Sequence, residues 1–300
     1  NVFVHRVGNG SSYLEKIFFI PRAARSAARL HRKHPFNAFW AMMSYMLFPV
    51  VLLRFCGIRT PYLLTLQEGA PWEHMFSRWF ILPFRPLLSV GFKNASAVQA
   101  ISTFLAAWAT RAGFKGRPEV IGNGVAVAQF AHSFSEEELQ TVRASIRKKD
   151  GETWLIHTGR LVRKNAWDTI IRALPLLGER VHFFMVGDGP DKHALANLAN
   201  ALGVSSRVHF HAYVPIENLP AYMKSCDIFI RPSRSEGMGN SFIEAMAAGL
   251  PVVATQEGGI ADFLFDAKRN PDRKTTGWPV DKDSPEQIAE AVKEILEGIS

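Results

Sequence analysis

Cysteine is nearly missing from this chain of 300 residues: only Cys56 and Cys226 occur, in different halves and with no Cys-x-x-Cys spacing. That usage excludes a disulfide framework and a thiolate zinc site as organising devices, and it fits a reducing, cytoplasmic setting. Acidic residues are scarce at the start. Of 35 Lys and Arg and 27 Asp and Glu, residues 1–60 hold nine and one, which leaves 26 of each for the other 240 and puts the whole formal charge of +8 at one end. Such asymmetry points to one lobe that meets an anionic surface, with phospholipid headgroups, phosphorylated substrates and nucleic acid as candidates. The aromatic platforms that interleave with basic residues in single-strand nucleic-acid binders are missing, so no nucleic-acid partner is expected. There is no internal repeat and no low-complexity tract. The first residues, NVFVHRV, read as a strand rather than as a charged leader with an apolar region and cleavage site. One apolar run, Phe36 to Leu53, reaches the lower edge of a membrane span, but Asn37, Ser44 and Pro49 interrupt it. A buried strand plus a helix, broken at Pro49, is expected instead.

What is present is enough apolar material, 47% of residues against 21% charged, for two cores. From Thr153 onward short β-rich runs alternate with helix-patterned runs: TWLIHT, VHFFMV, RVHFHA, DIFIRP, PVVAT and GWPV read as strands of a parallel sheet. Pro190 is expected to open one intervening helix, with Leu195, Leu198 and Leu202 on its buried face and Gly203 closing it. Ser284-Pro-Glu-Gln reads as the capping box of the last helix. Six strands joined this way make a doubly wound, Rossmann-like domain over residues 153–300, with ligands at the carboxyl ends of its strands. YLLTLQ, AVQAIS and PEVIGNG are strands of a less regular α/β domain over residues 1–130. The polar stretch at about 129–152 is the expected passage between the two.

Chemistry concentrates in Arg231 to Thr255, RPSRSEGMGNSFIEAMAAGLPVVAT, which reads strand, glycine-bearing loop, helix, strand. Gly237 and Gly239 allow close backbone approach, and Asn240 or Ser241 starts a helix whose first N–H groups lack intrahelical partners and suit an anion. Glu236 and Glu244 flank that anion site. Two carboxylates there would repel a bare phosphate, but they suit a sugar diphosphate joined to a ribose, whose hydroxyls donate on either side. A second piece, Gly159-Arg160-Leu-Val-Arg163-Lys164-Asn165, follows the strand TWLIHT and brings cations to the same sheet edge. Fixed cations and oriented amides aimed at a departing diphosphate stabilise the charge that develops on it. No metal-ligand cluster is needed for this.

Together, EGMGNSFIEAMAAGLPVVAT with its two glutamates, TGRLVRKN, FFMVGDGP, RVHFHAYVP and EGGIADFL resemble the donor domain of retaining family-4 glycosyltransferases of the GT-B fold. PYLLTLQEGAP and IGNGV are similar, more weakly, to that family's N-terminal domain. The resemblance implies two facing Rossmann-like domains, the first incomplete, with the family's glycine-rich loop preceding Asn1 and its closing helix following Ser300. It implies hexosyl transfer from a UDP- or GDP-linked sugar to a lipid-linked or saccharide acceptor, with configuration retained and no cofactor or metal. It further implies that Glu236 contacts the transferred sugar and Glu244 the ribose, that Arg160 and Lys164 hold the diphosphate with the Gly237, Met238, Gly239, Asn240 and Ser241 segment, and that the base lies against Ala212, Tyr213 and Val214. In many members the lysine stands one residue later, where this chain has Asn165, so Arg163 is an alternative to Lys164. Gln67 stands where many members carry a histidine, and it is grouped with His74 as acceptor-side.

Other readings stay open on the residues alone. A sugar-nucleotide epimerase of the same fold and a non-catalytic sugar-nucleotide binder both remain. His209 and His211 share a strand face but lack a third metal ligand. Arg22, Arg25, Arg29 and Arg32 recur at helical spacing on a helix that Pro21 would start; that face suits either solvent or an anionic inner membrane surface, peripherally.

Overall fold

The computed structural model describes residues 2–8 and 13–299, which divide into two compact units, Asn1–Gly122 and Asn123–Ser300. The first contains α1 (Tyr13–Lys33), β1 (Phe39–Met42), α2 (Leu47–Phe55), β2 (Tyr62–Leu66), α3 (Trp72–Phe76), α4 (Arg85–Lys93), β3 (Ala97–Ala100), α5 (Thr103–Ala112) and β4 (Glu119–Val120). Its four strands lie parallel in the order β1-β2-β3-β4. Leu64, Leu66, Phe92, Ala100 and Leu105 are wholly buried between the sheet and its helices.

Three expectations for this unit are corrected. Residues 2–7 form no strand: Val2, Phe3 and Val4 are exposed, and a strand exists only where a ladder partner satisfies its backbone. Pro21 does not start α1 but lies inside it. It forfeits one backbone bond at a turn whose Ile17 and Phe18 are exposed, so water can reach the freed carbonyl. Arg22, Arg25, Arg29 and Arg32 do fall on the exposed face, opposite the buried Ala24. The apolar run from Phe36 is a strand followed by a helix, but the break precedes Met46, and Pro49 lies in the first turn of α2, where its missing N–H has no acceptor to lose. No helix among the described residues is long and apolar enough to cross a membrane.

The second unit holds α6 (Val127–Ala131), α7 (Glu136–Ile146), β5 (Thr153–Thr158), α8 (Trp167–Ala173), β6 (Val181–Val186), α9 (Lys192–Ala201), β7 (Val208–His211), α10 (Leu219–Lys224), β8 (Ile228–Arg231), α11 (Asn240–Ala247), β9 (Val252–Thr255), β10 (Trp278–Val280) and α12 (Pro285–Ile299). All six expected strands are present, within a residue of their expected ends. They are parallel in the order β10-β9-β8-β5-β6-β7, so the chain runs outward through β5, β6 and β7, then returns to the other side of β5. A crevice opens where the order reverses, between the carboxyl ends of β5 and β8. One face of the sheet packs Trp167, Ile170, Phe183, Ile288 and Val292; the other packs Trp154, Phe184, Met223, Phe229 and Phe242.

Helix ends differ in detail from expectation. The charged stretch near 129–152 is no free connector: its middle, Glu136–Ile146, forms α7, which is capped by the reciprocal bonds of Ser135 and Glu138 and belongs to the second unit, where Lys148 Nζ lies 2.7 Å from Asp227. Residues with helical pattern and an apolar side fold onto the nearest core rather than span a gap. Pro190 precedes α9, which begins at Lys192, and Gly203 follows it with φ 69°. At α12, Ser284 Oγ accepts from the Gln287 amide at 3.4 Å, but the Gln287 side chain reaches Asp281 instead of the cap, so the expected box is half formed.

Candidate active site

The loops after β5 and β8 leave adjacent strands at the switch point, and they carry the residues singled out from the motifs. After β5 the chain turns at Gly159, with φ 147°, and exposes Arg160, whose guanidinium makes no ion pair with any described residue. The Arg160 carbonyl is fixed from within, accepting from Asn165 Nδ2 at 2.7 Å and from Trp167 Nε1 at 3.0 Å. Asn165, which stands where the resembled family carries a lysine, is therefore a buried brace of this loop. Lys164 is half-buried and directs Nζ to within 3.7 Å of Glu236 Oε1. Burial lowers the Lys164 pKa from its usual range and the Glu236 charge works against that shift. Arg163, the alternative, is exposed, and its carbonyl accepts from Arg234.

Glu236 is only 7% exposed at the end of the loop after β8. Both of its oxygens are engaged: Oε2 accepts from Arg231 Nη2 at 2.6 Å, and Oε1 accepts from the Gly237 amide at 3.1 Å on the side that faces Lys164. Gly237 is buried and Met238 half-buried, its sulfur accepting from the Asn123 amide at 3.2 Å. Gly239, with φ 80°, is the cap position of α11, and a Cβ there would stand 2.4 Å from the Phe242 ring. The cap residue of α11 makes no side-chain bond to it, so the amides of Asn240 and Ser241 at the helix start carry the positive end of its dipole. Glu244, in α11, is half-buried; burial raises its pKa and the Arg231 charge opposes the rise. Arg231 is thus electrostatically coupled to both glutamates.

One expected residue is placed differently. Val214 is buried in the core, so of the segment 212–214 only Ala212 and Tyr213, the latter 75% exposed, lie at the surface. Gln67 and His74 lie in the first unit: Gln67 is half-buried beside the buried carboxylate of Glu68, which accepts its amide at 3.0 Å, and His74 is exposed in α3 against Arg78. His209 pairs with His182 at 2.9 Å rather than with His211, and Trp154 stacks on it with centroids 4.4 Å apart. No group of three or more His, Cys, Asp or Glu among the described residues is arranged to hold a metal ion.

Sequence reasoning missed three residues. Arg231 ends β8 with its guanidinium buried among the site's acceptors; a charge closing the apolar run Ile-Phe-Ile was the available signal. Arg234 clamps the two loops: it donates bidentately to Asp168 at 2.9 and 2.8 Å, and to Asp283 at 2.6 Å. His157 lies beneath, fully buried in β5, stacked on Trp167 with centroids 3.5 Å apart, and neither ring nitrogen has a described partner. Nothing in its sequence context marked it.

His157 sets a pH dependence. Burial, and secondarily the Arg231 charge, hold its pKa well below the ordinary 6.5. Above 6.5 both folded and unfolded chains keep the ring neutral; below it the unfolded chain takes up a proton that the fold refuses, so stability is lost as pH falls through 6.5. His157→Phe keeps the stack, removes the unpaired nitrogens and is expected to melt at the same or a higher temperature at pH 7. The drop in melting temperature between about pH 7 and pH 5 should shrink, leaving the part due to the similarly lowered His74, His182 and His209. Equal acid sensitivity in parent and variant would contradict this.

Comparison with known proteins gives the site its context. The model of the glycosyl transferases group 1 family matches residues 139–298, just over half of the chain. The chain belongs to that family. A GDP-mannose-dependent alpha-(1-6)-phosphatidylinositol monomannoside mannosyltransferase of Mycolicibacterium smegmatis is 35% identical over 167 residues, which is 51% of this chain and 42% of that protein. An alpha-monoglucosyldiacylglycerol synthase of Streptococcus pneumoniae is 30% identical over 47% of this chain and 33% of its own length. These alignments therefore span less than half of the curated relatives. Among solved structures, Anabaena HepE in complex with UDP and glucose superposes with TM-score 0.77 at 21% identity, covering 96% of this chain and 74% of that one. Sucrose-phosphate synthase of Thermosynechococcus elongatus gives 0.78 at 19%, over 95% and 70%. The two parallel-sheet α/β units have the fold of GT-B glycosyltransferases.

Proposed function

We propose that this group 1 glycosyltransferase chain moves a hexosyl group from a UDP- or GDP-linked sugar to a lipid-linked or saccharide acceptor, with retention and without a metal. One observation carries the reading: at the switch point a buried carboxylate, Glu236, stands between a lysine, an arginine and the uncapped start of α11, with the unpaired Arg160 on the adjoining loop. The cations and amides suit a diphosphate, and the carboxylates suit hydroxyl donors on the two sugars that flank it. Relatives whose names specify GDP-mannose or a lipid acceptor, and a structural neighbour crystallised with UDP and glucose, agree with that chemistry.

Retention by double displacement requires a free carboxylate nucleophile. Glu236 is a poor one, because Arg231, Lys164 and the Gly237 amide all draw on its lone pairs. Its role here is to orient the sugar. The bond from the anomeric carbon to the diphosphate oxygen breaks, the acceptor oxygen bonds to the same face, and the departing phosphate oxygen takes the acceptor proton. Arg160, Lys164 and the α11 amides stabilise the charge gathered on the diphosphate. Glu244 accepts from the ribose, and Tyr213 lies against the base. Calorimetry with UDP, GDP, UDP-glucose and GDP-mannose tests the reading: one nucleotide and its sugar conjugate should bind, with micromolar to millimolar affinity. Binding to none of them would defeat it.

The first unit supports a peripheral, membrane-facing role. It carries 15 Lys and Arg against four acids, while the second unit carries 20 against 23. Exposed Leu82 helps line a cavity of about 430 Å³ together with Trp72, Phe76 and Phe92 and the cations Arg85 and Arg111, and Trp79 and Phe84 in the same unit are exposed too. Arg111 sits 4.3 Å over the Trp72 ring. Apolar depth with a cationic mouth fits an anionic phospholipid surface, each basic residue near it contributing about 1 kcal/mol. The protein should sediment with phosphatidylglycerol vesicles, release in high salt, and ignore phosphatidylcholine. Equal binding to both vesicles, or to neither, would refute the membrane role.

A further inference from the structure

A buried arginine costs several kcal/mol of lost hydration unless every nitrogen finds an acceptor, and at the end of an apolar strand a hydrophobic residue would serve packing as well or better. Arg231 meets that cost in an unusual way. Its acceptors come from three separate pieces of the crevice. Nε donates to Ser233 Oγ at 3.2 Å in the loop after β8; Nη1 donates to Ser241 Oγ at 2.7 Å in the first turn of α11; Nη2 donates to Asn165 Oδ1 at 3.2 Å in the loop after β5 and to Glu236 Oε2 at 2.6 Å. The guanidinium also lies 5.3 Å from the centre of the Phe242 ring, which holds its plane. A planar fork can meet acceptors in these directions at once; an ammonium cannot.

The consequence falls on Glu236. With Oε2 bonded to Arg231 and Oε1 to the Gly237 amide, the carboxylate has no rotational freedom and presents the rest of its lone pairs in a fixed direction. The Glu236 backbone is pinned too: its carbonyl accepts from the Gly259 amide at 3.1 Å, and Gly258 comes so close that a Cβ there would stand 2.0 Å from that carbonyl oxygen. Through Ser241 the same guanidinium ties this carboxylate to the helix start that faces the diphosphate. We propose that Arg231 is a positioning residue that determines sugar specificity: it aims the Glu236 carboxylate, as an acceptor only, at one or two ring hydroxyls of the transferred sugar and holds it at a set distance from the phosphate-binding start of α11. The inference rests on the glycosyl-transfer reading and adds to it the residue that selects the sugar. A donor with a hydroxyl within reach of that carboxylate is accepted, and one lacking it leaves a buried carboxylate under-bonded and is rejected.

The test compares the full chain with Arg231→Lys, Arg231→Gln and Ser241→Ala, using the nucleotide sugar that the parent transfers and analogues that each lack one ring hydroxyl. The parent should reject one deoxy analogue by about a hundredfold or more in kcat/KM. In both Arg231 variants kcat with the natural donor should fall at least about thirtyfold while KM moves less than about threefold, since ground-state nucleotide contacts are untouched. The rejection ratio for that analogue should fall at least about tenfold. A merely structural arginine would lower both donors alike and leave the ratio where it was; that result overturns the proposal. Should the Arg231 variants fail to fold, as judged by circular dichroism, Ser241→Ala removes only the tie to α11 and should give a smaller fall in the same ratio. An unchanged ratio in that variant overturns the proposal equally. A parent that binds no nucleotide sugar defeats the glycosyl-transfer reading and this inference with it, whereas a parent that transfers sugar with a ratio indifferent to Arg231 defeats the inference alone.

Discussion

Glu236→Gln is expected to lower sugar transfer by at least about a hundredfold while nucleoside diphosphate binding stays within a few-fold of the parent, or tightens. The amide keeps the shape of the side chain but gives up its charge and one acceptor oxygen, so a sugar hydroxyl that donated to the carboxylate meets a weaker or inverted partner. Loss of one properly aimed polar contact that strengthens in the transition state costs about 3 to 4 kcal/mol, which is the hundredfold or more expected here. Binding of the diphosphate responds in the opposite direction. Glu236 now neutralises Lys164 and Arg231, at 3.7 and 2.6 Å; without it both cations are free to act on an incoming anion. The fold suffers as well, because a buried guanidinium that loses its counter-ion is left under-compensated, and a stability loss of roughly 2 to 4 kcal/mol is expected. Turnover, calorimetry and a thermal melt read the three effects separately. Parental turnover in the variant would remove the role assigned to Glu236, and abolished nucleotide binding would mean that the carboxylate acts on the phosphates or on the fold, not on the sugar.

The second large effect comes from a residue that touches no ligand. Gly187 closes β6 with φ 143°, and a Cβ there would stand 2.0 Å from the Gly159 carbonyl oxygen. That contact is between two backbones, so nothing flexible can yield, and the strand pair β5–β6 must part just where the loop bearing Arg160 begins. Gly187→Ala should cost about 3 kcal/mol or more from the overlap and the left-handed backbone together, and should lower nucleotide affinity by displacing Arg160. Gly178→Ala is the control: a Cβ there meets nothing within 4 Å, and the change should stay within about 0.5 kcal/mol. Chemical denaturation of both variants decides the matter. A Gly187→Ala protein as stable as the control would show that the sheet edge accommodates what its geometry forbids.

These two residues also show how differently the chain could be read in advance. Glu236 was legible because a glutamate beside two glycines at a strand end is an odd thing to find on packing grounds alone. Gly187 carries no comparable signal: that its Cα abuts the Gly159 carbonyl depends on strand register, which no local pattern carries. Lys164 was legible as a cation at the right sheet edge, and its approach to Glu236 followed once β5 and β8 proved to be neighbours. Asn165, which stands where many family members carry a lysine, is a brace, because a side-chain amide can both donate to the Arg160 carbonyl and accept from Arg231, as a lysine cannot. Pro21 and Pro49 misled for a common reason: a proline is costly in a helix only where its missing N–H or its ring meets a partner that cannot do without it.

Taken alone, the amino-acid sequence determined the kind of fold and the chemical class of the site. Periodicity sets whether a segment coils or extends, and the alternation of six apolar strands with helices permits little besides a doubly wound parallel sheet. Composition likewise decided that the positive charge would gather in one unit, since charge is counted and not folded. Tertiary structure alone decided which side chains meet. The union of Arg231, Asn165, Ser241 and Glu236 draws on both ends of the stretch from Asn165 to Ser241 and exists because β8 returns to the flank of β5, a choice made by the packing of two apolar faces. Burial then does what sequence cannot express: it makes one arginine a fixed scaffold and leaves another, Arg160, exposed, although both stand at the carboxyl end of a strand.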